Sequence, residues 1–223
     1  MHGGGGVDPG LRPRLLEMVG GSRARVLVVP QASAAVDNWP SLPEVWRKIG
    51  AGSAELLDLS SPRDAAAQVE RADFVWLAAG DQSRLAAVLA GTPAADALRR
   101  RYHEGLVIGG ISAGMAVMSA VMITGEPADP GSGATHVGAG LGLWPEVILD
   151  QHVLARQRLD RLVRAVADHP GLVGIGVDES TSIVVEQGRR FVVEGESQVV
   201  VVRARDGVVE TTAIGPGGSH ELA

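Results

Sequence analysis

The sequence predicts an α/β fold: a mostly parallel sheet flanked by helices, closed by an antiparallel β-meander towards the C-terminus. Three observations predict it. Short apolar runs of strand length alternate with segments of helical spacing, the pattern of a parallel sheet covered on both faces. One such run, residues 106–109, feeds directly into Gly110-Ile111-Ser112-Ala113-Gly114 and then into further helical sequence. Residues 190–214 are strand-rich instead, with turns at Gly195 and Asp206-Gly207.

In chain order, residues 24–30 (ARVLVVP) read as a fully buried strand ended by Pro30. Residues 42–48 read as a helix, followed by a turn at 50–52. Residues 55–59 read as strand, 62–71 as helix and 73–78 (DFVWLA) as strand. Residues 82–89 and 94–104 carry helical spacing, and the run through Ser112 continues as helix over 115–122. Residues 125–142, rich in Gly, Pro and Ala, predict a long loop or lid. Residues 153–168 predict a helix ended by His169-Pro170-Gly171, and 172–177 and 182–185 predict strands. No internal repeat or linker interrupts the series. Residues 1–223 therefore read as one domain, with a strand-rich extension over about 186–215.

The bulk composition narrows the function classes. Apolar residues make up 45% of the 223, enough for a substantial core, whereas aromatics make up 3%, so Val, Leu, Ile and Ala are expected to build it. A net charge of −6 argues against a nucleic-acid partner and gives no attraction to an anionic membrane. With no cysteine, disulfides, thiolate metal sites and a Cys nucleophile are excluded. The opening MHGGGGVDPGLRPR lacks the apolar stretch of a signal peptide, and no run approaches the ~20 residues of a membrane span, so the cytoplasm is the expected location. The Asp and His residues show no metal-ligand spacing, and no cofactor is implied.

Gly110-x-Ser112-x-Gly114 is the strongest local signal. A serine in a tight turn between a buried strand and a helix has its hydroxyl exposed, while flanking glycines admit the close backbone. The amide of Ala113 is the natural donor to an oxyanion. The same pattern also serves as a packing turn, and only the strand-before, helix-after context favours a nucleophile. A serine needs a base, and six histidines are available. His2 lies in a Gly-rich start expected to be disordered, His103 at a helix end, His169 in a helix-ending turn and His220 in the tail. His152, in Asp150-Gln151-His152 after the apolar segment 144–149, falls at a strand-to-helix junction, where α/β sites collect; His136 is the second candidate. The third member is a carboxylate at the end of Gly174-Ile175-Gly176-Val177, where Asp178 and Glu179 point to opposite faces so that one can meet the imidazole. The order nucleophile, base, acid differs from that of α/β-hydrolases, whose acid precedes the base.

Together these stretches resemble the cyanophycinase-like serine peptidases of peptidase family S51, over about residues 3–186. The resemblance is carried by Gly80-Asp81-Gln82, by Gly109 to Gly114, by Gly140-Leu141-Gly142-Leu143, by Asp150-Gln151-His152 with Arg156, Arg158 and Arg161, and by Gly174 to Glu179. It implies a fold like that of class I glutamine amidotransferases with Ser in place of Cys. Ser112 would attack, His152 act as base and Glu179 orient it, with the amides of Gly80 and Ala113 as oxyanion hole. Gln82, Asp150, Gln151, Arg156, Arg158 and Arg161 would line the substrate pocket.

The implied substrate is a peptide, cyanophycin, whose polyaspartate backbone carries arginine on each side-chain carboxyl; cleavage releases β-Asp-Arg dipeptides, and a homodimer is implied. Arginines suit the aspartyl part through bidentate pairing, and Asp150 could receive the arginyl guanidinium. Read without the resemblance, the arginines, Arg164 among them, are a solvated helix face, and Arg156 and Arg158 do not share one face. The sequence departs from the family at Ala79, where a second Gly is usual, at Val153, where Phe is common, and at the start, where the first strand is expected to be missing. Two other readings stand beside this one: an S51-type dipeptidase acting on other α- or β-aspartyl dipeptides, and a non-catalytic binding module on the same fold. A glutamine amidotransferase is excluded by the lack of Cys.

Overall fold

The order of elements follows the hydrophobic pattern closely through the first half of the chain. The structure, a computed structural model, describes residues 1–125 and 135–222. It divides into two compact units, Asp8–Gly114 and a second made of Met1–Val7 with Met115–Ala223.

The unit Asp8–Gly114 contains α1 (Leu11–Met18), β1 (Arg25–Val29), α2 (Ser41–Lys48), β2 (Ser53–Leu56), α3 (Pro62–Arg71), β3 (Phe74–Leu77), α4 (Gln82–Leu89), α5 (Pro93–His103) and β4 (Val107–Gly110). All four strands are parallel, in the order β2-β1-β3-β4. The helices start where the sequence supplies caps. The Ser61 hydroxyl accepts from Asp64 N ahead of Pro62, Thr92 Oγ1 accepts from Ala95 N ahead of Pro93, and the Asp81 carboxylate accepts from Ser83 N and Arg84 N.

The core of this unit is built mainly of Val, Leu, Ile and Ala, as the composition predicts. Three aromatics cluster within it: Trp46 meets Phe74 edge-on at 5.2 Å and Trp76 at 5.4 Å between ring centroids, among Leu16, Val26 and Val28. Helix α1 is absent from the sequence-based reading, because Gly10 caps it with no side-chain bond and Pro13 lies inside it.

The second unit follows a single helical turn, α6 (Ala113–Ala116). It contains β5 (Val121–Ile123), β6 (Val137–Ala139), β7 (Val147–Gln151), α7 (Leu159–Asp168), β8 (Val173–Val177), β9 (Thr181–Glu186), β10 (Arg190–Gly195), β11 (Val199–Arg205), β12 (Val208–Ile214) and β13 (Ser219–Glu221). Among the described residues these strands form the sheets β12-β11-β8-β7, β13-β10-β9 and the pair β5-β6. Within the first, β7 and β8 are parallel, with Asp150 opposite Gly176 and Gln151 opposite Val177, and β11 is antiparallel to β8. Its buried side packs Ile148, Val200 and Val202 on Leu162, Ala165 and Val166 of α7.

The expected architecture, helices flanking a parallel sheet with antiparallel strands towards the C-terminus, is what the structure shows. Four local expectations are corrected. The helix predicted over 115–122 stops at Ala116, because the carbonyls beyond it are taken from elsewhere: Leu141 N donates to Val117 O, Trp144 N to Met118 O and Gly140 N to Ala120 O. Of the loop predicted over 125–142, residues 126–134 lie outside the described residues, and β6 forms an antiparallel pair with β5. The helix predicted over 153–168 begins only at Leu159, for reasons that belong to the site. The predicted C-terminal meander is divided between two sheets, β10 pairing with β9 and β13 while β11 and β12 extend the β7-β8 sheet.

Candidate active site

In the unit Asp8–Gly114 the site is built at the carboxyl edge of the parallel sheet. β4 ends at Gly110, and Ser112 follows in the left-handed region with φ 53°. A non-glycine residue held there marks stored backbone strain, as a nucleophile elbow requires. Ile111 N donates to Leu77 O at 3.1 Å and Gly114 N to Ile111 O at 2.9 Å, which tie the turn to the end of β3. A Cβ on Gly114 would stand 2.1 Å from Leu77 O, so no larger residue fits where α6 begins.

Because β3 and β4 are parallel neighbours with Leu77 opposite Gly110, the Gly80 loop and the Ser112 elbow leave the same edge side by side. The strand order β2-β1-β3-β4 has its switch point between β1 and β3, and in open α/β sheets ligands bind outside the carboxyl ends of the strands at such a point. Gly80 sits there with φ 148°; a Cβ on it would lie 2.3 Å from Ala32 O. Gln82, the first residue of α4, is buried beside it in sequence, as is Ala113 after the serine. A separate cavity of about 190 Å³, lined by Arg25, Ser53, Glu55 and Arg71 among others, opens at the amino ends of β1 and β2 and shares none of these residues.

In the second unit β7 and β8 deliver the other candidates. His152 directly follows β7, again with a left-handed φ of 55°, and its Nδ1 lies 2.5 Å from Glu179 Oε1. Of the two adjacent carboxylates, it is thus Glu179 that meets the imidazole. Asp178 faces elsewhere and accepts from Leu154 N at 3.0 Å, Ala155 N at 2.8 Å and Ser197 Oγ at 2.7 Å. These bonds explain the late start of α7. Asp178 takes the amides of residues 154 and 155, and Gln157 adopts φ 53°, so residues 153–157 form turns instead of helix.

Burial disfavours the imidazolium and holds His152 below the ordinary imidazole pKa. The Glu179 hydrogen bond opposes this, while the charges of Arg156 and Arg158 add to it. Burial also works against ionisation of Asp178, but its hydrogen bonds from Ala155, Ser197, Glu179 and Leu154 outweigh it and keep the pKa below the ordinary carboxylate value. His152 is therefore neutral near pH 7, with Nδ1–H donated to Glu179, and Nε2 carries the acceptor lone pair.

The arginines are distributed differently from a helix face. Arg156 lies in the turn, half-exposed, with Nε 3.5 Å from Glu179 Oε1. Arg158 donates to Gln151 Oε1 at 2.8 Å, and Arg161 grips Asp150 through Nε (2.8 Å) and Nη2 (2.5 Å). Asp150 is only 1% exposed, and its Oδ1 also accepts from Gln151 N, so its carboxylate is engaged inside the protein. Four of the remaining histidines make other contacts. His103 packs edge-on against Tyr102, the carbonyl of His136 accepts from Thr124 N, His169 bonds Ala165 O, and His220 stacks near Phe191.

His2 was expected to be disordered and is instead buried. It bridges to Ser182 and accepts Gly4 N at Nδ1, 2.9 Å away. Sequence reasoning missed this segment, although four successive glycines at 3–6 are a signal of close backbone approach. Among the described residues no cluster of His, Asp and Glu could hold a metal, and no helix is long and apolar enough to cross a membrane.

A left-handed serine at the carboxyl edge of a parallel sheet, together with a histidine–carboxylate pair on a second set of strands, defines an α/β protein equipped with the parts of a serine hydrolase. The chain belongs to peptidase family S51, whose family model matches residues 3–193. It is 37% identical over 193 residues to the cyanophycinase of Trichormus variabilis, covering 82% of this chain and 64% of that one, and so spans just under two thirds of that relative. To the cyanophycinase of Synechococcus elongatus it is 34% identical over 216 residues, 91% of this chain and 67% of the other. Among solved structures, a peptidase from an acI-B1 Actinobacterium shares the fold with a TM-score of 0.76 at 20% identity, over 99% of this chain and 95% of that one. A putative peptidase E protein from Listeria monocytogenes aligns with a TM-score of 0.55 at 16% identity, over 92% and 93%.

Proposed function

We propose that the chain is a serine peptidase that hydrolyses cyanophycin to β-Asp-Arg, with Ser112 as nucleophile, His152 as base and Glu179 as the group that orients it. The observation that carries the reading is the short His152–Glu179 hydrogen bond in a chain whose family match also includes the strained serine turn. The substrate follows from the relatives named cyanophycinase.

In the first half-reaction Nε2 of His152 takes the Ser112 proton while Oγ adds to the scissile carbonyl. The amides of Gly80 and Ala113 stabilise the oxyanion. Collapse breaks the C–N bond, the imidazolium returns its proton to the leaving amine, and an acyl-enzyme remains. Water then adds with the same base, and Ser112 Oγ leaves with its proton restored. Glu179 stays ionised and keeps Nδ1–H in place throughout.

Arg156 supplies a fork for the carboxylates of the substrate, with Arg158, Arg161 and Gln82 lining the pocket. Asp150 and Gln151 act through Arg161 and Arg158, which they hold by direct hydrogen bonds. The engaged carboxylate of Asp150 favours this role over the reception of a substrate guanidinium. The same reading treats the 223 residues as one functional domain, acting as a homodimer in the cytoplasm with no nucleic-acid or membrane partner.

Incubation with purified cyanophycin and mass spectrometry of the products tests the proposal. β-Asp-Arg is expected from the wild type and none from Ser112→Ala. Release by both variants would remove the serine mechanism. A wild type that labels with a fluorophosphonate at Ser112 but releases no β-Asp-Arg would remove the substrate, and would move attention to Ala79 and Val153.

A further inference from the structure

The segment that precedes α1 touches the base itself. Gly3 N donates to Thr181 O at 3.0 Å, Ser180 N donates to Gly4 O at 2.9 Å, and His152 N donates to Gly3 O at 3.2 Å. Residues 2–4 thus bridge the strand end that carries His152 and the strand start that follows Glu179. The side of the segment turned to these residues has no room for side chains. A Cβ on Gly4, where φ is 112°, would stand 2.1 Å from His152 Cε1 and 2.5 Å from Nε2. A Cβ on Gly5, with φ 72°, would stand 2.9 Å from Glu179 Cβ and 3.1 Å from Oε2. Gly6 differs: its φ is not positive, and a Cβ there would meet only Ser180 Oγ, at an ordinary 3.5 Å.

We infer that residues 3–5 are a positioning strap for the catalytic base: their backbone fixes the main chain of His152, and the bare Cα atoms of Gly4 and Gly5 form the wall that sets the imidazole against Glu179. The physical argument is one of confinement. His152 has a left-handed φ, and the bond from its amide to Gly3 O is one of the contacts that hold that conformation. An imidazole that turns far from this orientation loses its 2.5 Å contact with Glu179, because hydrogen bonds weaken steeply once the donor angle falls below about 120°. The strap blocks that turn only while position 4 has no side chain. It deepens the proposed mechanism and rests on it for the word catalytic, but its hold on the ring is a separate physical claim.

Proton NMR reads the hold without reference to turnover. In the wild type, a nuclear Overhauser contact between Gly4 Hα and His152 Hε1 is expected, together with a downfield Nδ1–H resonance from the bond to Glu179. Gly4→Ala is expected to lose that resonance and at least about 100-fold in kcat, with KM changed far less, since the base is displaced and the substrate groups are not. Gly6→Ala, in the same segment, is expected to keep both. The absence of the contact in the wild type would overturn the inference even if Gly4→Ala failed to fold. A folded Gly4→Ala with the resonance and kcat intact would overturn it as well. Full turnover by His152→Ala would instead sink the catalytic reading and leave the strap's grip on the ring in place.

Discussion

At the scale of single residues the site is an electrostatic balance around His152. Burial and the cations Arg156 and Arg158 disfavour its protonation, while Glu179 favours it. Because the pKa is depressed, the base form survives to lower pH than for an ordinary imidazole, and the acid limb of kcat/KM is expected below the usual histidine range. The neighbours shift that limb in opposite directions. Arg158→Gln removes a positive charge, so the imidazolium becomes easier to form and the limb moves to higher pH. Glu179→Gln removes the compensating anion, so the limb moves to lower pH while kcat falls by about 10²- to 10⁴-fold through loss of orientation. A pH profile of kcat/KM for the three proteins checks both signs; limbs that coincide would mean that His152 is not the titrating base. The linkage to folding has the same sign: protonation costs more in the folded state, so stability carried by neutral His152 is present above the unfolded imidazole pKa and is lost as pH falls through the folded one.

At the scale of elements, legibility in the sequence follows the origin of each element's hydrogen bonds. Helix α3 and helix α4 were readable to the residue, because Ser61 with Pro62 and Asp81 cap them from within their own stretch. The spans 115–122 and 153–157 were not, because distant groups decide them: the amides of residues 140–144 in one case and the Asp178 carboxylate in the other. Site residues behave alike. Ser112 and His152 were visible at strand ends, and the choice of Glu179 over Asp178 needed coordinates, since alternation places the two carboxylates on opposite faces without saying which face holds the histidine. The Arg161–Asp150 grip was hidden for the same reason, as it spans a turn that the helical pattern concealed. Asp178 is thus an element-scale residue, clamping residues 154 and 155 to the strand end and to Ser197. Asp178→Ala is expected to cost about 2 to 4 kcal/mol in urea unfolding, since it leaves two amides and a hydroxyl without their charged acceptor. Asp178→Asn should recover part of that loss. A cost near zero would show that the turn is held by its neighbours and not by the carboxylate.

At the scale of the whole molecule, chain connectivity governs how the two units unfold. The second unit is discontinuous: Met1–Val7 completes it, and the entire Asp8–Gly114 unit intervenes before the chain returns at Met115. Within that unit the early segment bonds Thr181, Ser180, Ile183 and His152, so the second unit is incomplete without it. These bonds close a loop that contains all of Asp8–Gly114. Unfolding Asp8–Gly114 alone would leave a flexible loop of more than 100 residues closed by that short segment, and closure of so long a loop carries an entropic cost that a few backbone hydrogen bonds only partly offset. Calorimetry is therefore expected to show one cooperative transition, with equal calorimetric and van't Hoff enthalpies, as for a single domain. Ser112→Ala should leave that transition within about 2 °C of the wild type or raise it slightly, since it removes a hydroxyl from a strained turn without opening a core cavity. Two resolved transitions would mean that the early segment detaches before the sheet it completes. In that case Gly4→Ala should widen the gap between them, whereas Gly6→Ala should not.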